Sequence, residues 1–307
     1  METRQFGATD IQVSVLGFGA AEIGFERVGL DDARHLLNSA LDNGLNIIDT
    51  AECYDISEDL IGQTLSHRRN AFFLFTKCGH KGFADELPED VRQDADWEPK
   101  MLRASIERSL KRLRTDCVDL IQLHSCDEEI LRRGDVIRVP EDARQAGKTR
   151  YIGYSGDREA ALYAVECGRF DALQTSCSIA DQQAIDKLIP NAQSKNMGVI
   201  IKRPIANAVW KHATKADAPE HHQEYWERLR VLDYPFLHGQ PQDITATALH
   251  FPLSIAGVHT AIVGTSKANR WRENADLLQA GNLSSQEYEA IRALWKEVVK
   301  PDWTALG

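Results

Sequence analysis

The chain has 307 residues, 43 % hydrophobic and 27 % charged, with a formal net charge of −10, which is enough apolar material for a sizeable core beneath an ordinary water-facing surface. A net negative surface repels phosphate backbones, so nucleic acid is not expected as a partner. Met1 to Asp10 lacks an apolar core of signal-peptide type and no apolar run approaches a bilayer span, so no membrane partner and a cytoplasmic location are expected. The six cysteines are scattered without a CxxC pair, and free thiols are their simplest reading.

In chain order, Thr3–Val13 with Gly7 in its middle reads as a hairpin. Strand-like runs then alternate with helical ones: Ser14–Phe18, Leu45–Ile48, Phe72–Thr76, Cys117–Leu123, Thr149–Tyr154, Ala172–Ser176, Met197–Lys202 and His259–Val263. Several of these runs are apolar on both faces, as strands covered on both sides require. Eight such units at this length predict an α/β fold, a (β/α)8 TIM barrel with an N-terminal β-hairpin, as a single domain over residues 1–307. An open doubly wound sheet would favour a GxGxxG fingerprint after the first strand, and Leu16-Gly17-Phe18-Gly19-Ala20-Ala21 is not one.

Helix punctuation supports this reading. Asp31 is placed as an N-cap, with Ala33, Leu36, Leu37, Ala40 and Leu41 as the apolar face and Gly44 as the left-handed terminator. Leu102, Ile106, Leu110 and Leu113 give a second face, and Ala161, Leu162 and Val165 a third, ended by Gly168. Ser284 and Glu287 have capping-box spacing, and the following helix is expected to bury Ala290, Ile291, Leu294 and Val298. Two further stretches exceed a barrel's needs: an acidic loop, His80–Pro99, and an insertion, Ile205–Gln242, with a helix around Tyr225–Leu232. Long insertions of this kind tend to form lids or pocket walls, and Trp97 and Trp210 lie within them.

Parallel barrels gather their chemistry where strands end. Asp49 ends the second barrel strand with Tyr54 just beyond, Lys77 ends the third and His124 the fourth. Singly, each has a plain reading as a cap, a solvated cation or a packed histidine; together, at three adjacent strand ends, they point into one pocket.

The run Gly44-Leu45-Asn46-Ile47-Ile48-Asp49-Thr50-Ala51-Glu52-Cys53-Tyr54 resembles the aldo-keto reductase signature, in which a strand ends in Asp and Tyr follows five positions later. Phe75-Thr76-Lys77 and Leu120-Ile121-Gln122-Leu123-His124 resemble that family's lysine and histidine segments. Gly147 to Ser155 resembles the stretch before its nicotinamide-binding Ser-Asn pair, and Val263 to Asn274 its cofactor-phosphate segment. The resemblance runs from about Gln5 to Leu278. It implies a catalytic tetrad of Asp49, Tyr54, Lys77 and His124, in which Lys77 lowers the Tyr54 pKa, Asp49 keeps Lys77 charged and His124 orients a carbonyl. Tyr54 would serve as general acid in reduction and as base in oxidation.

The resemblance also implies a nicotinamide cofactor. Gly19, Asp49, Ser155, Gln174, Lys202, Arg203, Gly264, Thr265, Ser266, Lys267, Arg270, Glu273 and Asn274 are the expected contacts. Arg270 falls where the family places the arginine that grips a 2′-phosphate, with Lys267 near it, which favours NADP(H) over NAD(H). Two positions depart from the family. Gly156 follows Ser155 where Asn is usual, and Lys202 stands where a tyrosine often stacks on the nicotinamide. The expected function is hydride transfer to or from an aldehyde, ketone or sugar. Two competing readings are a nicotinamide-binding regulatory protein of the same fold, as the potassium-channel β subunits are, and a barrel lyase using Lys77 or Lys202 as a Schiff base. Cys53 and Cys78, beside Tyr54 and Lys77, admit a redox-sensing role, with small buried hydrophobes as the plainer reading. The pair His221-His222 has no evident third metal ligand.

Overall fold

Short parallel strands with two apolar faces must be covered on both sides, and here a closed barrel with helices outside it does so. The computed structural model describes residues 1–80, 96–267, 269–279 and 281–306. An antiparallel pair opens the chain, β1 (Thr3–Gln5) and β2 (Gln12–Ser14). The barrel strands are β3 (Leu16–Gly19), β4 (Ile47–Asp49), β5 (Phe73–Cys78), β6 (Val118–His124), β7 (Thr149–Ser155), β8 (Ala172–Ser176), β9 (Gly198–Lys202) and β10 (Thr260–Gly264). They pair in parallel in sequence order, and β10 returns to β3 to close the barrel. This is the (β/α)8 architecture expected from the sequence, hairpin included. The strand expected at Ser14–Phe18 is in fact divided: Ser14 ends the hairpin, and the barrel strand begins at Leu16.

The hairpin has a packing role. Its turn drives Phe6, fully buried, into the amino-terminal end of the barrel, where it joins Ile11, Val13, Ile47, Phe75, Leu120, Ala172, Ile200 and Ile262. Phe6 stacks on Phe75 at 5.7 Å between ring centroids and meets His259 edge-on at 5.8 Å. Gly198 permits this approach, because a Cβ there would lie 2.5 Å from the Phe6 ring. The barrel is therefore plugged at one end, and chemistry is left to the other.

The outer helices follow their sequence signals with two corrections. The helix Leu30–Asp42 buries Ala33, Leu36, Leu37, Ala40 and Leu41, and Gly44 follows at φ +91. Its N-cap is Gly29; Asp31 lies in the first turn and pairs with Arg34, where its charge still suits the positive end of the helix dipole. The capping box at Ser284 and Glu287 forms, but Ala290 is exposed. Ile291, Arg292 and Trp295 form the buried stripe instead, because Arg292 turns inward to Gln182 and Asp186. The expected helix around Tyr225–Leu232 runs over Gln223–Leu232. Of the acidic loop His80–Pro99, residues 81–95 lie outside the described residues, and Pro99 opens the helix Pro99–Leu113. No helix among the described residues is long and apolar enough to cross a membrane.

Replacing the plug tests this account. Phe6→Ala should cost about 3–5 kcal/mol of unfolding free energy in urea titration, through lost burial and an unfilled cavity. The surviving folded fraction should keep its ligand binding, since the strand ends that carry the polar residues lie at the opposite face. A loss below about 1 kcal/mol would show that the barrel end closes without it.

Candidate active site

Alternation along a strand points every second side chain into the barrel, and the carboxyl-terminal ends of β4, β5 and β6 direct three polar side chains to one place. Asp49 is the last residue of β4, Lys77 the penultimate residue of β5 and His124 the last of β6. Lys77 and Asp49 are each about fully buried, with side chains 1 % exposed, and form an ion pair. The Lys77 ammonium also donates to the Thr50 carbonyl at 2.8 Å, while Gln122 Nε2 donates to the second Asp49 oxygen at 3.1 Å. Lys77 Nζ lies 4.9 Å from the centre of the Tyr54 ring. His124 meets that ring edge-on, with centroids 5.6 Å apart. The four residues singled out from sequence are thus brought together.

Their electrostatics are coupled. Burial alone would drive Lys77 down, but the Asp49 charge, the Tyr54 hydroxyl and the hydrogen bond to Asp49 raise it, so it stays an ammonium. Lys77 acts to lower the Tyr54 pKa, as expected, but does not prevail. Burial raises the phenol, Lys77 opposes this, Asp49 adds to it, and the net direction in the free protein is upward. Tyr54 therefore holds its proton at neutral pH. His124 is held well below its usual range by burial, then by Lys77, His80 and Lys202, so the ring is neutral.

The loop carrying Tyr54 is pinned on both sides. Thr50 and Ser57 share a hydroxyl hydrogen bond of 2.9 Å, and Ser57 donates to the Ala20 carbonyl at 2.7 Å. Gly24 lets the helix Ala21–Phe25 lie directly on this loop, because a Cβ there would come within 2.0 Å of the Tyr54 carbonyl. Below, Glu52 is buried and accepts from Arg108, and Arg112 Nη1 lies 3.6 Å from Glu52 and 3.9 Å from Glu58. Thr76, next to Lys77, donates to Glu58 at 2.6 Å. Burial, opposed by Thr76 and Arg112, pushes the Glu58 carboxyl up to about 7.

A wall of rings surrounds the tetrad. Phe25, 60 % exposed, meets Tyr54 edge-on at 5.5 Å. His80 lies 5.2 Å from His124, and Trp97 lies 5.4 Å from His80. Trp97 is thus one ring removed from the tetrad. Trp210 instead lies beside Trp226, Leu229 and Leu237 within the insertion.

The expected cofactor residues sit along the other strand ends. Ser155, the last residue of β7, pairs in register with Gln174 of β8, and its hydroxyl donates to Gln174 Oε1 at 2.8 Å. Gln174 Nε2 is left buried without a hydrogen-bond partner among the described residues. Gly19 and Gly264 are register partners where β10 closes onto β3, and the Glu22 carboxyl fills the space over Gly264, where a Cβ would lie 1.6 Å from its oxygen. After β9, Arg203, Ala206, Asn207 and Ala208 all have positive φ between 44 and 56, and the Ala206 and Ala208 amides donate to the Arg203 and Ile205 carbonyls at 2.9 and 2.7 Å. Thr265 and Asn274 are buried, Ser266 is half-buried, and Lys267, Arg270 and Glu273 are exposed, with Arg270 3.2 Å from Glu273. The orphaned Gln174 amide donor and the exposed cations Lys267 and Arg270 fit a dinucleotide.

Sequence reasoning missed several residues here. Asp157 is 5 % exposed and binds Lys202 Nζ at 3.0 Å, Thr175 Oγ1 at 2.8 Å and the Ser176 amide at 2.7 Å, so Lys202 is held as half of an ion pair. Arg203, which was among the expected cofactor contacts, donates instead to the Leu306 carbonyl and so ties down the carboxyl-terminal segment. Lys211 is held below its usual range by burial and by the charges of Arg270 and Lys267, with Glu273 opposing them. Gln122 did leave a signal, a lone amide in an apolar strand; Lys211 left none. Burial pushes the thiols of Cys53 and Cys78 to about 12, which favours the plain reading of both over redox sensing. His221 and His222 lie in the short helix Glu220–His222, and among the described residues no group of three or more His, Cys, Asp or Glu side chains is placed to hold a metal ion.

Comparison with known proteins agrees with this fold. Residues 15–296 match the Aldo/keto reductase family. The chain is 27 % identical to an L-galactose dehydrogenase of Arabidopsis thaliana over 99 % of its own length and 97 % of the relative's. It is 27 % identical to a D-threo-aldose 1-dehydrogenase of Pseudomonas sp over 95 % of each chain. Among solved structures, the holo form of aldo-keto reductase AKR11C1 from Bacillus halodurans superposes with a TM-score of 0.81, at 25 % identity over 99 % of both chains.

The buried Glu58 gives this region a measurable pH signature. Its folded pKa, about 7, lies above the ordinary 4.5, so the folded state binds the extra proton. The stability contributed by Glu58 is full below pH 4.5 and is lost as pH rises through about 7, on the order of 3 kcal/mol. Glu58→Gln should flatten this slope between pH 5 and pH 8 in denaturant titrations. An unchanged slope would show that Glu58 is ionised in the fold.

Proposed function

The chain belongs to the aldo-keto reductase family, and from that premise we propose that it is an NADP(H)-dependent oxidoreductase acting on an aldehyde, ketone or sugar, with Tyr54 as general acid and base. The family and the oxidoreductase class rest on the match over residues 15–296 and on the two dehydrogenase relatives. The observation that carries the mechanism is the buried Lys77–Asp49 pair set against the Tyr54 ring. When bound, the nicotinamide supplies or accepts the hydride.

The protein's own groups do the rest. Hydride addition to a carbonyl builds negative charge on its oxygen, and Tyr54, protonated at neutral pH, donates to it. The phenolate left behind faces the Lys77 ammonium, whose charge Asp49 secures. Neutral His124 donates a hydrogen bond to the same oxygen and orients it. In the oxidative direction the proton returns to Tyr54. Phe25 and His80 form the aromatic wall against which the substrate lies. The sugar dehydrogenases among the relatives favour a polyhydroxylated substrate.

On the cofactor side, Ser155 and Gln174 hold the nicotinamide amide, with the unpartnered Gln174 Nε2 as donor. Lys202, which stands where a tyrosine is usual in the family, is steadied by Asp157. The phosphates would run past Gly19, Gly264 and the turn after β9, and reach Gly264 only when the Glu22 carboxyl lying over it moves aside. Lys211, Lys267 and Arg270 are cations suited to a 2′-phosphate, which supports NADP(H) over NAD(H). The whole chain acts as one domain in this reading. Six free cysteines fit a reducing compartment, and the cytoplasm is its proposed location.

The test is fluorescence titration with NADPH and NADH, followed by turnover on aldehydes and sugars. Wild type should bind NADPH more tightly, and Arg270→Ala should weaken NADPH about ten- to a hundredfold while sparing NADH. Tyr54→Phe should bind cofactor normally and lose on the order of 10²- to 10⁴-fold in kcat. Binding without turnover on any substrate would favour the regulatory reading, and binding of neither cofactor would overturn the proposal.

A further inference from the structure

The general mechanism leaves one detail open, namely which nitrogen of His124 carries the proton. A neutral imidazole has one donor and one acceptor nitrogen, and only a proton on the nitrogen facing the substrate lets the ring donate to a carbonyl. In this chain Nδ1 has a partner: Cys53 Sγ lies 3.5 Å from it. Nε2 makes no hydrogen bond among the described residues. The other neighbours of the ring, Tyr54 and His80, meet it through ring contacts.

We infer that Cys53 is a positioning residue for the chemistry proposed above: its thiol donates to Nδ1 of His124 and so leaves the ring's single proton on Nε2, toward the substrate oxygen. Two arrangements satisfy the observed contact, S–H to Nδ1 or Nδ1–H to sulfur. A neutral sulfur is a poor acceptor, whereas the in-plane lone pair of imidazole is a good one, so the first arrangement is the stronger. Its requirement is a protonated thiol, and burial keeps the Cys53 proton in place at neutral pH. The second would leave Nε2 as a bare acceptor, unable to donate to a carbonyl.

Placement makes the contact dependable. Cys53 sits between Glu52, clamped by Arg108, and Tyr54, whose carbonyl accepts from the Ser57 amide at 3.0 Å. The thiol is therefore delivered to β6 by a loop that is fixed on either side. The contact also ties the Tyr54 loop to the strand that carries His124, so both groups that would meet the substrate oxygen share one support.

The inference rests on the reductase reading for its purpose, but its first readout needs no turnover. Long-range 1H–15N spectra of histidine-labelled protein, with the His124 signals assigned by His124→Asn, report the tautomer directly. Wild type should show the Nε2–H form. Cys53→Val, which removes the donor, should show a mixture, and Cys53→Ser, which restores one, should return to the Nε2–H form. In turnover, Cys53→Val should lower kcat about tenfold with NADPH affinity unchanged, and Cys53→Ser should recover most of it. A wild-type proton on Nδ1, or a tautomer unaltered in Cys53→Val, would overturn the inference. Absence of turnover in the wild type would overturn the reductase reading while the tautomer result still stood.

Discussion

Around the ion pair between Lys77 and Asp49, almost every other feature of the candidate site is arranged. Removing both charges from water carries a large desolvation penalty, which is offset only if each charge meets its partner and its remaining hydrogen-bonding sites are filled. The Thr50 carbonyl and the Gln122 amide fill them. That requires β4, β5 and β6 to be adjacent and in a fixed register, with Asp49 opposite Phe75 and Lys77 opposite Gln122. A one-residue slip would turn each side chain to the opposite face. The closed barrel prevents slippage, and the Phe6 plug fills the end where the strands begin.

A second layer of charge holds the loops to this frame. Glu52 and Glu58 are buried beneath the Tyr54 loop and matched by Arg108 and Arg112. On the opposite rim, Asp157 holds Lys202. The carboxyl-terminal segment is tied down through its backbone carbonyls, at Thr304 by Arg228, at Ala305 by Arg158 and at Leu306 by Arg203. Each tie joins an irregular segment to a regular element, so the loops that line the site inherit some of the barrel's rigidity.

The barrel and the tetrad were legible because their signals are local. Doubly apolar strands, apolar helix stripes and polar residues at strand ends follow short periods that a reader can count, and Asp49, Tyr54, Lys77 and His124 stand in segments that resemble a known family. The errors fell where tertiary contacts override local preference. Asp31 had the chemistry of a cap, yet Gly29 occupies that position. Ala290 fitted the apolar stripe, but a buried arginine, Arg292, displaces it because Gln182 and Asp186 lie within reach. The Tyr54 phenol was expected to fall beside Lys77, whereas burial outweighs that charge in the free protein.

By itself the sequence determined the class of fold, the strand ends that converge and the four side chains they deliver, since these depend on alternation and helical period. Tertiary structure alone decided what surrounds those side chains. Only folding brings Cys53 to His124 from 71 positions away in the chain, puts Lys211 within the field of Arg270 and Lys267 and buries Glu58 against Thr76. Protonation and orientation depend on distance and on the exclusion of water. Both are properties of packing between segments remote in sequence, and no local pattern encodes them.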